Sequence, residues 1–221
     1  TPTTHPPVIQ ETEETAATTD AVDDAFEAQA DAEKADAPGL GSPEGTLEVP
    51  TLGPEDFEPE DLRQALRTMM VSRRLDQKML TLLKQGKGFF HIGSAGHEAS
   101  QIAVARHFEG GKDWFCFYYR DLATALTVGV TPTEVLRAHF GKAADVFGGG
   151  RQMPEHFGHR DLNILSTSSS VAAQYVPAVG FALGVKREDA EAVSDGASSR
   201  AVYVSGGEGS TSQGAFHGAP N

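Results

Sequence analysis

Val202-Tyr203-Val204-Ser205-Gly206-Gly207-Glu208-Gly209 is the stretch on which the fold turns. Arg200 to Ser205 (RAVYVS) is short, apolar at its centre and β-branched, the pattern of a buried strand in a parallel sheet. Gly206 to Gly209 then turns the chain into a final helix. A carboxylate between glycines at the carboxyl end of such a strand stands where α/β sheets bind ligands. The glycines let the backbone approach a phosphate, and the N-terminus of the next helix favours an anion. Glu208 suits a Mg²⁺ ion bridging a diphosphate, because Mg²⁺ takes one or two carboxylates together with phosphate oxygens. The competing reading is an ordinary glycine-rich βα turn with a solvated glutamate, and Gly-x-Gly alone does not separate the two.

Downstream, the sequence closes at Asn221, inside or just after that helix. A strand, a turn and one helix make half of a βαβ unit, so a truncated chain, or one completed by a partner, is expected.

Upstream, Val171 to Lys186 reads as a helix of small residues, and Arg187 to Ser199 as a polar loop. Thr131-Pro132-Thr133-Glu134 carries three agreeing helix-start signals: a capping threonine, a proline for the first turn and a glutamate that completes a capping box. Gly141 ends that helix. Trp114 to Tyr119 is an aromatic run of strand type. Gly96 to Phe108 reads as a helix. A longer helix starts at Pro59, and its stripe Leu62, Leu66, Met69, Leu75, Met79, Leu82 and Leu83 is expected in the core. Gly86 and Gly88 stop it.

The net charge of −13 is unevenly spread. Residues 1–61 hold 17 acidic residues against Lys34, a net of −16, and the remainder is near neutral at +3. With few large apolar residues, segment 1–55 cannot offset its chain entropy, and it is expected to be an acidic disordered tail with a transient helix within 20–36. It serves as a solubilising extension or as a docking arm. The body is residues 56–221. It has no basic stripe for duplex DNA. No stretch of about 18 uncharged apolar residues exists, which excludes a transmembrane helix. One cysteine, Cys116, excludes a disulfide framework within the chain. No secretory signal opens the sequence, and a cytoplasmic protein is expected.

Three further groups carry candidate chemistry. Arg120, just past a strand, suits a bidentate phosphate contact, with Tyr118 and Tyr119 beside it to pack on a heterocycle; the bland alternative is a surface pair with Asp121. Residues 148–159 place three glycines before Arg151, Glu155, His156 and His159, an active-site loop or a His₂Glu zinc site, although the spacing matches no rigid helical ligand pair. Leu165 to Gln174 (LSTSSSVAAQ) offers hydroxyls to a monovalent cation or a heterocycle, or simply caps a helix.

In order, Tyr119-Arg120-Asp121, GGGRQMPEHFG (148–158), STSSSVAAQYVPAVG (166–180) and GGEGSTSQGAFHGAPN (206–221) resemble the α subunit of the E1 component of thiamine-diphosphate-dependent 2-oxo acid dehydrogenases. GRQMPEHFG, and GEG in place of the usual GDG, are similar to the branched-chain enzyme more than to the pyruvate enzyme. The resemblance covers residues 58–221. It implies an α/β fold, part of a thiamine-diphosphate-binding domain, with a parallel sheet and flanking helices. It implies oxidative decarboxylation of a 2-oxo acid with acyl transfer to lipoyl groups. The implied cofactors are thiamine diphosphate, Mg²⁺ and K⁺. The implied partners are an E1 β subunit, in an α₂β₂ heterotetramer, and the lipoyl acyltransferase E2 core. Carried onto this sequence, Tyr119 and Arg120 contact the cofactor, Ser169 and the Val171 backbone hold its aminopyrimidine, Glu208 ligates Mg²⁺, and Gly209 and Ser210 line the diphosphate. Phe90, Tyr119, Met153 and His156 border the substrate. Ser168, Ser170, Ala173 and Gln174 fall at the K⁺ loop, with Ser170 where a proline is usual and Ala173 where a threonine is usual. The family's histidine loop would lie beyond residue 221. The alternatives are a truncated chain that keeps only subunit contacts, a pyruvate-type subunit, or a binding protein whose tail docks a basic partner.

Overall fold

The computed structural model describes residues 53–192 and 200–219. All but the last three positions of the expected tail 1–55, with its helix over 20–36, lie outside the described residues. A single 3₁₀ turn, Pro54–Asp56, precedes the first helix.

Helix α1 (Pro59–Lys84) opens with Pro59 in its first turn and with Glu60 and Asp61 at the positive end of its dipole. Its end is a full Schellman motif. The Gly86 amide donates to the Leu83 carbonyl and the Lys87 amide to the Leu82 carbonyl, both at 2.9 Å. Gly86, at φ +69°, supplies the left-handed residue that this motif requires. The buried face runs Ser72, Leu75, Asp76, Met79 and Leu82, packed on α2 (Glu98–Ala105), α3 (Leu122–Thr127) and α4 (Pro132–His139). The expected stripe is core only over this half. Leu62 is exposed, Leu66 is 56% exposed, and neighbouring Met70 is 57% exposed, because at 3.6 residues per turn they lie on a different face of α1 from the buried one. Helix α2 is shorter than the predicted Gly96–Phe108, and α4 carries the predicted capping box. In that box Thr131 Oγ1 accepts from the Glu134 amide at 3.3 Å, and Glu134 Oε2 accepts from the Thr131 amide at 2.8 Å.

The sheet is parallel. Strands β1 (Trp114–Cys116) and β2 (Val202–Val204) pair Trp114 with Val202, Phe115 with Tyr203 and Cys116 with Val204. On the other side of β1 the Phe115 amide donates to the Asn163 carbonyl and the Leu165 amide to the Phe115 carbonyl, so β1 is flanked on both edges. Phe115 and Cys116 are fully buried. Phe147, Phe157, Phe117 and Phe115 continue the core as a chain of tilted and edge-on rings with centroids 5.3–5.9 Å apart. The expected burial of β2 is corrected: Val202 and Tyr203 are half-buried and Val204 exposed, because the only strand paired with β2 among the described residues is β1.

Helix α5 runs Tyr175–Ala192, later at both ends than the predicted Val171–Lys186. Ala172 adopts φ +69°, which breaks any helix before Tyr175. The far end extends because Arg200 reaches back to Glu188 at 2.8 Å and Asp189 at 2.7 Å, so part of the predicted polar loop is helical. After β2, a 3₁₀ turn (Glu208–Ser212) and the short α6 (Gly214–Gly218) replace the single predicted helix. No helix among the described residues is long and apolar enough to cross a membrane.

Candidate active-site cleft at the ends of the parallel strands

Both strands end at one hydrogen-bonded junction. The Tyr118 amide, just past β1, donates at 3.1 Å to Asp121 Oδ2 and at 3.1 Å to Ser205 Oγ, just past β2. Ser205 Oγ in turn donates to Asp121 Oδ2. Asp121 is buried, and burial pushes its carboxyl up to about 6, against the opposing hydrogen bonds from Ser205 and the Tyr118 amide. It does not pair with Arg120, which removes the bland alternative for that arginine. Gln174 Nε2 donates to the Ser205 carbonyl at 2.8 Å, and Tyr175 Oη lies 2.7 Å from Ser210 Oγ, so the start of α5 is fastened to the glycine turn.

A cleft of about 220 Å³ opens beyond this junction. Its walls are Tyr118 and Tyr119 from the β1 end, Glu155 and His156 from the glycine-rich loop, Ser168, Ser170, Val171 and Gln174 from the serine turn, and Gly207, Glu208, Gly209 and Ser210 from the β2 turn. A side chain at Gly207 would press on Tyr118 Oη at 3.2 Å, and one at Gly206 would collide with Tyr175 Oη and Ser210 Oγ. Glycine is therefore what lets this turn approach the two tyrosines, and it keeps backbone rather than side chain facing the cleft. Glu208 is exposed at the mouth, free to meet a cation.

The expected residues are mostly brought together. Tyr119, His156, Ser168, Ser170, Val171, Gln174, Glu208, Gly209 and Ser210 line the cleft. Ser169 joins through His156. His156 Nδ1 donates to the Pro154 carbonyl at 3.0 Å, which leaves Nε2 to accept from Ser169 Oγ. His156 also stacks on Tyr119 with ring centroids 6.2 Å apart. Four expected residues do not line the cleft. The Arg120 guanidinium is turned to the Gly93 carbonyl and to Tyr118 Oη (3.1 Å), and lies over the Tyr119 ring at 5.6 Å. Its acceptors are protein groups. Phe90 and Ala173 are half-buried elsewhere, and Met153 is exposed. The zinc alternative fails. Glu155, His156 and His159 point at three different partners, His91, Ser169 and Glu134, and no group of three metal-ligating side chains occurs among the described residues.

One functional group escapes sequence reasoning. His91 Nδ1 lies 2.7 Å from Glu155 Oε1, and His91 Nε2 lies 3.5 Å from Asp76 Oδ1. Burial pulls His91 down, but the Glu155 and Asp76 carboxylates outweigh it and raise its pKa. Burial raises Glu155 as well, against the opposing pull of His91. The pair is therefore a buried histidine–carboxylate contact beside the cleft. Glu155 adopts φ +61°, a left-handed conformation costly for a non-glycine residue and concentrated at functional sites. Its Oε2 is buried and makes no hydrogen bond among the described residues, a desolvation cost of about 1–3 kcal/mol. The only sequence signal is a glutamate and a histidine in two unpatterned loops.

An α/β body with a glycine-built turn at the carboxyl ends of parallel strands puts the cleft where sheets of this class bind ligands. The chain belongs to the dehydrogenase E1 component family, which matches residues 66–221. It is 39% identical over 166 residues to the 2-oxoisovalerate dehydrogenase subunit alpha of Bacillus subtilis (strain 168), covering 75% of this chain and 47% of that protein. It is 34% identical to the pyruvate dehydrogenase E1 component subunit alpha of the same organism, covering 73% and 38%. It is 30% identical over 178 residues to the mitochondrial 2-oxoisovalerate dehydrogenase subunit alpha of Dictyostelium discoideum, covering 80% and 38%. The chain thus spans less than half the length of each of these relatives.

Proposed function

We propose that this chain supplies the α-subunit half-site of an E1 component that oxidatively decarboxylates a branched-chain 2-oxo acid and passes the acyl group to a lipoyl arm. The observation that carries the reading is the cleft itself: in a chain of this family, the Glu208–Ser210 turn, Tyr119 and the serine turn face one another around it. The branched-chain assignment rests on the greater identity to the 2-oxoisovalerate enzyme. The partners are a β subunit, in an α₂β₂ assembly, and an E2 acyltransferase core, in the cytoplasm.

The residues fit thiamine diphosphate. The glycine turn offers backbone at close approach for a diphosphate, and Glu208 offers the hard anionic oxygen that Mg²⁺ takes. Thiamine diphosphate, when bound, supplies the nucleophile and electron sink for decarboxylation. The chain's own residues do the rest. Gly209 and Ser210 line the diphosphate position. Tyr119 and Val171 line the cleft. The Pro154 carbonyl fixes the tautomer of His156, Ser169 donates to its Nε2, and its ring is held against Tyr119. Ser168 and Ser170, with hydroxyls 3.4 Å apart, and the carbonyls of the Ala173 turn would hold a monovalent cation. Arg120 would reach a diphosphate only by leaving the Gly93 carbonyl.

The test is reconstitution with a β subunit, followed by decarboxylation of 3-methyl-2-oxobutanoate and of pyruvate. The expected result is turnover that requires thiamine diphosphate and Mg²⁺ and favours the branched acid. A complex saturated with both cofactors that turns over neither acid would contradict the function.

A further inference from the structure

His156 is presented to the cleft by a tight turn whose sequence works against it. The His156 amide donates to the Met153 carbonyl at 3.2 Å, closing a turn over Met153, Pro154, Glu155 and His156. Pro154 stands at the second position, where the fixed φ of proline belongs, and Glu155 at the third, with φ +61°. This is the pattern of a type II turn, whose third position calls for glycine or asparagine. A glutamate there sets its Cβ against the backbone, and the one hydrogen bond of the turn does not offset that strain. The side chain supplies what the turn lacks. Glu155 Oε1 lies 2.7 Å from His91 Nδ1, with the two side chains 2% and 4% exposed, and the Ile92 backbone faces the same carboxylate. His91 is held from two further sides. Asp76 of α1, itself bonded by the Ser94 amide at 2.7 Å, lies 3.5 Å from its Nε2. His139, at the end of α4, packs edge-on against its ring with centroids 6.3 Å apart. The turn then does two things for the cleft. Its Pro154 carbonyl accepts from His156 Nδ1 at 3.0 Å, which leaves Nε2 for Ser169, and its backbone aims the imidazole at Tyr119.

We infer that Glu155 is a positioning residue for His156: its ion pair with His91 holds the Met153–His156 turn in its left-handed form, and the turn fixes the orientation and tautomer of the His156 ring at the cleft wall. The inference rests on the proposed function only in taking the cleft as the working site. It makes the placement of His156 depend on pH. Burial lowers His91, but Glu155 and Asp76 outweigh it and raise His91 above its usual value, while His139 is lowered by burial and by His91. Burial raises Glu155, against His91, the Ile92 backbone and His156. The pair is therefore fully charged above the Glu155 value and below the raised His91 value, and it is lost as pH rises through the latter.

The test is read without substrate or cofactor, in the assembly reconstituted with a β subunit and labelled with ¹³C,¹⁵N-histidine. The His156 ring resonances are assigned by their loss in His156→Gln. In the parent they should report one fixed tautomer, protonated at Nδ1, and should show a step at the pH at which His91 titrates. His91→Phe keeps a planar ring beside His139 and removes the bond to Glu155, so the His156 resonances should move to the averaged values of an unheld imidazole. Adding Glu155→Gly to His91→Phe gives the turn the residue it calls for, and the parent's resonances should return, because glycine needs no pair to hold this φ. In Glu155→Gln, which keeps the size and loses the charge, His91 should titrate at lower pH and the step in His156 should move with it. Unchanged His156 resonances in His91→Phe would overturn the inference. So would a double variant that stays like His91→Phe, and so would a His156 step in Glu155→Gln that does not follow His91, the mark of a merely structural contact. If His91→Phe does not assemble, the Glu155→Gln titration decides alone. If the resonances behave as expected in an assembly that turns over no 2-oxo acid, the positioning role stands and the proposed function falls. If they do not, the positioning role falls whatever the turnover.

Discussion

Ser205 donates its hydroxyl hydrogen to Asp121 across the ends of the two parallel strands, and both also receive the amide of Tyr118. This contact, between residues 84 positions apart, fixes the two walls of the cleft relative to each other. It also holds a carboxyl that burial pushes well above its usual range.

Asp121 is expected to make stability fall as pH rises from about 4 to about 6. Its folded-state carboxyl sits at about 6 against a reference of 3.8, mainly from burial. In that window the folded state holds a proton that the unfolded state has lost, so stability drops with rising pH, then levels off above the folded value. A shift of about two units corresponds to about 3 kcal/mol. Burial raises Glu155 in the same direction, so its contribution has the same sign. Urea unfolding from pH 3.5 to 7.5 measures this, and Asp121→Asn should lose a large part of the slope. An unchanged slope in that variant would place the titration elsewhere.

Gly206→Ala and Gly209→Ala should behave differently although they lie three positions apart. A methyl at Gly206 collides with Tyr175 Oη and Ser210 Oγ, whereas nothing lies within 4 Å of one at Gly209. The expected stability loss is roughly 1–3 kcal/mol at Gly206 and under about 0.5 kcal/mol at Gly209. Equal losses in thermal unfolding would mean that the turn does not pack as described.

Thr131→Ala removes the side-chain half of the α4 capping box, the Oγ1 that accepts from the Glu134 amide and donates to Glu134 Oε2, and leaves the residue 131 amide bonded to Glu134. The cost should be about 1 kcal/mol, or roughly 2–4 °C in Tm for a body of this size. Because the box is remote from the cleft, ligand affinity should not change; a change in affinity would show that α4 and the cleft are coupled.

What can be read from the sequence is local. The capping box at Thr131, the helix stop at Gly86 and the strand character of Trp114–Cys116 and Val202–Val204 each depend on neighbouring residues, and each is present in the structure. Most of the cleft is legible too, because its walls are short motifs at strand ends. Three things are hidden for physical reasons. The left-handed turn at Ala172 contradicts the helix preference of alanine, so the start of α5 falls later than its composition suggests. Leu66 is apolar at roughly helical spacing, but 3.6 residues per turn puts it on the far side of α1 from the buried face of Leu75, Met79 and Leu82, so its apolar character does not place it in the core. Arg120 has a phosphate ligand's chemistry, but its orientation is set by the Gly93 carbonyl, 27 residues away, and the His91–Glu155 pair joins residues 64 apart. No local pattern encodes such contacts.

The most direct measurement is calorimetric affinity for thiamine diphosphate as a function of Mg²⁺, made on the reconstituted assembly with the parent chain and with Glu208→Gln. Gln keeps the size of Glu and loses the charge that Mg²⁺ requires. The expected result is affinity in the parent that rises with Mg²⁺ to saturation, and in Glu208→Gln a loss of tenfold or more at the same Mg²⁺, about 1.4 kcal/mol per tenfold. An affinity and a Mg²⁺ dependence identical to the parent's would contradict a cofactor site at the Gly206–Ser210 turn.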